Sequence, residues 1–86
     1  MTRTDAPVMI TDMKERIKDI QMAVSWRDFA NTYFSRSSSW FYHKMDGIDG
    51  NGGVGGFTPE EAEQMRNALF DLADRIRRAA ENVRAV

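Results

Sequence analysis

Seven apolar residues recur at alternating spacings of three and four near the C-terminus: Ala62, Met65, Leu69, Leu72, Ile76, Ala79 and Val83. That alternation holds one face of an α-helix in a heptad seam and cannot belong to a strand, whose period is two. The helix start is written just upstream in "FTPEEAEQM". Thr58 is placed to cap, Pro59 fits the first helical position, and Glu61 stands where a capping box needs it, with Phe57 placed as a hydrophobic staple. A helix from Pro59 to about Arg84 therefore dominates whatever else this chain does.

The seam spans about 32 Å at about 1.5 Å per residue. No upstream helix candidate is that long. The first, "TDMKERIKDIQMAV", has Thr11 as N-cap and Met13, Ile17, Ile20 and Val24 on one face, and reaches only about 20 Å. One protomer thus struggles to cover the stripe, and Phe70 lies off it. Each large apolar side chain left in water forfeits about 1.5–3 kcal/mol. The expectation is a homodimer with an interface at Met65, Leu69, Leu72, Ile76 and Val83. Ala68, Ala73 and Ala80 beside the seam widen it and favour a multi-helix contact. The charges on this helix alternate in sign, with Arg75 four residues after Asp71 and Arg78 four after Asp74, so they read as a solvated face.

Between the two ends lies "SWRDFANTYFSRSSSWFYHKMDG". Ser25 followed three residues later by Asp28 marks a helix start, and Trp26, Phe29, Ala30 and Tyr33 share a face to about Phe34. "SRSS" breaks that helix, because serines bond locally to backbone. Ser37 or Ser38 then caps a third helix, about Ser39 to Asp46, with Trp40, Phe41 and Met45 on its apolar side and Gly47 at its end. All six glycines fall between Gly47 and Gly56, which predicts a loop or a small wing. Asp49, Asn51 and Glu60 match positions of a Ca²⁺-binding loop, but Gly53 and Val54 stand where a ligand and the turn glycine are needed. No lysine follows the glycines, as a phosphate-cradling loop requires.

Two short helices joined by a tight polar turn have the pattern of a helix-turn-helix over residues 25–47, with Ala30 small enough for the crossing. On that model Arg36, Ser37, Ser38 and Ser39 lead into the major groove, Tyr42 and His43 follow, and Arg27 and Lys44 hold phosphates. The charge is thin for such a task. Arg27, Arg36 and Lys44 stand against Asp28 and Asp46, and the whole chain carries a formal −1, whereas phosphate neutralisation supplies most non-specific affinity. The turn has Ser35 and Arg36 where a glycine and a small apolar residue are common.

The segments "SWRDFANTYFSRSSSWFYHKMDG" and "FTPEEAEQMRNALFDLADRI" resemble a family of small uncharacterised bacterial proteins, a domain of unknown function. Trp26, Ala30, Tyr33, Phe34, Ser37, Trp40, Tyr42, Gly47, Phe57, Thr58 and Glu61 carry the resemblance. It covers about residues 11 to 80 and implies a compact helical protein without assigned chemistry. A looser resemblance links the segment to phage-repressor-like helix-turn-helix proteins.

The 86 residues allow one domain. With no cysteine and a single histidine, neither a disulfide nor a thiolate metal site is available, and no metal or cofactor is expected. Ser39 lies one turn before His43, yet no orienting carboxylate accompanies them, so no catalytic residue is assigned. No apolar run reaches the ~18 residues of a membrane span, and no signal peptide opens the chain, which points to the cytoplasm. The sequence therefore predicts a single all-α domain: a small bundle of about four helices, with a tail at 1–10, a helix-turn-helix-like hairpin, a Gly-rich loop at 47–57 and a long C-terminal helix. The expected function is a non-enzymatic DNA-binding or regulatory accessory protein. The alternative is a helical protein-interaction or oligomerisation module that binds no nucleic acid.

Overall fold

Residues 9–47 and 55–84 are described by the computed structural model. They form α1 (Met13–Arg16), a single 3-10 turn (Lys18–Ile20), α2 (Trp26–Phe34), α3 (Ser38–Met45) and α4 (Pro59–Asn82). No strand occurs among them, so the fold is all-α. Most of the glycine-rich stretch, including Asp49, Asn51, Gly53 and Val54 of the Ca²⁺-loop comparison, lies outside the described residues.

Three of the helices start where local chemistry places them. The Ser25 hydroxyl accepts from the amide of Asp28 and opens α2. Ser37 accepts from the amide of Trp40 and opens α3, one residue earlier than expected. Thr58 and Glu61 close a full capping box on α4, with Pro59 in its first turn. Between α2 and α3 the chain turns at Ser35, whose φ of 54° is left-handed without a glycine. That conformation costs a non-glycine residue on the order of 1 kcal/mol.

The first helix departs from expectation. Instead of one helix of about 13 residues, α1 has four, and a 3-10 turn of three follows after a break at Ile17. The cap is Asp12 rather than Thr11, and no side-chain bond is made there. Two tertiary contacts explain the difference. Ile10 and Phe57 exchange both backbone hydrogen bonds, at 2.7 and 2.9 Å, which sets the angle at which the chain enters. Downstream, the Trp26 indole donates to the carbonyl of Gln21 at 2.8 Å, taking an acceptor that a continuing helix would use itself. Such a short helix has little intrinsic stability with which to resist. The apolar periodicity still holds, because Met13 and Ile17 are buried and Ile20 and Val24 half-buried.

Gly56 makes the Ile10–Phe57 bridge possible. Its φ is 118°, and a Cβ built there would lie 2.5 Å from the Ile10 carbonyl oxygen.

Phe41 sits at the centre of the core with no accessible surface. It stacks on Trp26 at 5.6 Å and meets Phe29 and Phe57 edge-on at 5.8 and 5.9 Å. Met13, Ile17, Ala30, Met45, Met65 and Ala68 close around these rings. Only the first half of α4 joins them. From Ala73 to Arg84 every residue is exposed among the described residues.

Candidate functional site

The outward surface of α3 is the first candidate. Ser39, Tyr42 and His43 are exposed, as are Arg36 and Ser37 in the turn and Arg27 on α2, while Ser38 is half-buried. Seven of the eight residues expected to meet nucleic acid lie on α3 or the turn before it, with Arg27 on α2, and they do not all point free charge outward. Lys44 is tied to Glu61 of α4 at 2.9 Å, with both side chains about three-quarters covered. Arg36 and Lys44 both lie over the Trp40 ring, at 5.2 and 5.5 Å. Asp46, at the end of α3, pairs with Lys14 at 2.9 Å. Ser37 has its hydroxyl committed to the cap.

The same geometry makes Glu61 a structural joint. Its Oε1 accepts from Lys44 Nζ and from the amide of Thr58, both at 2.9 Å. Burial pushes the Glu61 carboxyl up, but the Thr58 bonds and the Lys44 charge outweigh it and hold the group below its ordinary value.

The second candidate is α4 beyond the core. The five seam residues expected at an interface separate into two groups. Met65 is 1% exposed and packs within its own chain, so it is not available to a partner. Leu69 and Leu72 are half-buried at the edge of the core. Ile76 and Val83 are 59% and 83% exposed. Phe70, off the seam, is 57% exposed, and the Arg66 guanidinium lies 5.1 Å above its ring.

A cleft of about 290 Å³ lies where α4 leaves the core. Val24 and Phe29 form one wall, Leu72 and Ile76 the other, and Ser25 and Asp28 stand on its polar rim. A polar latch beside it escaped sequence analysis. The Tyr33 hydroxyl donates to Asp71 Oδ2 at 2.6 Å and accepts from Arg75 at 3.0 Å, while Gln64 donates to the Tyr33 carbonyl at 2.8 Å. Asp71 and Arg75 were expected to pair directly; instead the phenol stands between them. The hydrogen bond to Tyr33 raises the pKa of Arg75. The i, i+4 spacing of Asp71 and Arg75 was visible in the sequence, but nothing local names a tyrosine 38 residues upstream.

No helix among the described residues is long and apolar enough to cross a membrane. The model of a family described as a domain of unknown function (DUF5053) matches residues 13–83. No curated protein and no solved structure matches the chain.

Proposed function

The chain belongs to that family of unknown function, and from this premise we propose that it is a non-enzymatic, cytoplasmic oligomerisation module that joins copies of itself through the free half of α4. One observation carries the proposal: a single heptad seam is buried at Met65 and then continues, in register, through the exposed Ile76 and Val83. An uncovered continuation of a core stripe has a standing free-energy gain on association, and two-fold pairing is the commonest way for a chain to realise it. The resulting assembly holds two folded bodies at a set spacing, a role suited to a regulatory accessory protein.

The experiment is sedimentation velocity at micromolar concentration. Wild-type protein should run above the mass of one 9.9 kDa chain, and Ile76→Glu should return it to that mass without lowering helix content. A wild-type monomer refutes the proposal.

DNA binding stands second. Exposed Ser39, Tyr42 and His43 on α3, with exposed Arg36 in the turn and Arg27 on α2, favour it, while the Lys44–Glu61 pair removes one of its three cations from the field that a phosphate backbone would feel. Retention of random duplex at low salt, weakened by Arg36→Ala with Arg27→Ala, is the outcome that supports it. No retention at low salt ends it for the isolated chain.

A further inference from the structure

We infer that the two α4 helices pair antiparallel, in a register that sets Val83 of each copy into the α2–α4 cleft of the other. This rests on self-association and specifies its geometry. Three observations lead to it.

The first is charge. The end of α4 carries Arg77, Arg78 and Arg84 against Glu81. The end that meets the body carries Asp71 and Asp74 against Arg75, with Asp28 on the rim of the cleft. An antiparallel pair lays the terminal Arg84 level with Asp71 on the acidic shoulder of the other copy, with Arg77 and Arg78 falling at the two-fold, and opposes the two helix dipoles. A parallel pair sets the two basic tips side by side.

The second is register. Antiparallel heptad seams interlock only at steps of one heptad. One step places Ile76 opposite the partner's Ala79, and Leu72 opposite the partner's Val83, so that larger side chains face smaller ones. It also sets Ala73 beside the partner's Ala80 on one flank, where two small residues let the helices approach closely, and Arg75 beside the partner's Asn82 on the other. Sliding one heptad towards the body brings Val83 against Met65, which is already 1% exposed under its own chain. Sliding one heptad outwards leaves only Ala79 and Val83 facing each other within the described residues. The middle register alone uses every exposed seam residue and none of the core.

The third is the cleft itself. It opens beside Leu72, Arg75 and Ile76, on the flank where the partner's Val83 and Asn82 arrive. Val24, Phe29 and Leu72 offer that valine an apolar wall, and Ser25 and Asp28 offer the Asn82 amide hydrogen-bond partners. The contact thus extends beyond two bare helices to include α2, which matters because a two-helix overlap of about 14 residues is only about 21 Å long and short of the roughly 800 Å² per partner of a standard interface.

The chain has no native cysteine, so disulfide trapping gives a clean test. Two full-length single variants, Ile76→Cys and Ala79→Cys, both at exposed positions, are mixed with distinguishable tags and oxidised. Leu72→Cys with Val83→Cys serves as a second pair. In each mixture the hetero-disulfide should exceed both homo-disulfides. Dominant homo-disulfides, or a dimer by sedimentation that traps no pair, overturns the antiparallel register while leaving self-association intact. A wild-type monomer overturns both. A third readout is Val24→Asp, which places a charge in the cleft wall at a half-buried position facing the α4 seam across the cleft. It should weaken the dimer by at least tenfold with the monomer still folded by circular dichroism, and an unchanged dimer would show that Val83 does not enter the cleft.

Discussion

Truncating Phe41 to alanine tests the account of the core most directly. The ring has no accessible surface and touches Trp26, Phe29, Phe34 and Phe57 at centroid distances between 5.6 and 6.0 Å. Removing a buried phenyl group of this kind costs about 3–5 kcal/mol in lost transfer energy and cavity. The total stability of a domain of this size is about 4–13 kcal/mol at 0.05–0.15 kcal/mol per residue. The variant should therefore melt about 12–40 °C lower, or fail to fold. Trp40 supplies the comparison. It is the larger ring, and its sequence position predicted a core residue, yet it is half-buried under Arg36 and Lys44 and against Phe34. Trp40→Ala should cost only about 1–2 kcal/mol, in proportion to its partial burial. The assay is a thermal melt by circular dichroism at one fixed protein concentration, because association shifts apparent stability. A Trp40→Ala melt equal to or below that of Phe41→Ala would refute this assignment of the core.

Other perturbations follow from the joints between elements. Glu61 has a folded-state pKa below the ordinary carboxylate value, so the stability it contributes is present above that ordinary value and is lost as pH falls through the lowered one; Glu61→Gln should cost about 1 kcal/mol at neutral pH and flatten the acid limb of a stability-versus-pH curve. Tyr33→Phe deletes both bonds of the Asp71–Tyr33–Arg75 latch and should destabilise by about 1 kcal/mol, with faster amide exchange in α4 near Leu72. Gly56→Ala forces a Cβ to within 2.5 Å of the Ile10 carbonyl at a φ of 118°, and should cost more than about 1 kcal/mol in a denaturant titration.

The sequence by itself determined the elements whose signals lie within a few residues of one another. The Thr58–Pro59–Glu61 start of α4 reads directly from residue types, because a hydroxyl, a proline and a carboxylate act on the nearest free amides. The same holds for the Ser25 cap, whereas residue types left Ser37 and Ser38 both open and the structure selects Ser37. In the first segment the periodicity also named the inward face: Met13 and Ile17 are buried although the helix breaks at Ile17.

What the tertiary structure decided concerns residues far apart in the chain. It broke the first helix, because the Ile10–Phe57 bridge, joined by the local Trp26–Gln21 bond, outweighs the weak propensity of a short segment. It inserted Tyr33 between Asp71 and Arg75, and it turned Lys44 from a candidate phosphate contact into the partner of Glu61. Above all, it divided one uniform seam into a buried half and an exposed half. Leu69, Ile76 and Val83 carry the same periodic signal. The difference between them is how far along α4 the shorter helices reach, a length that becomes a boundary only when the elements pack.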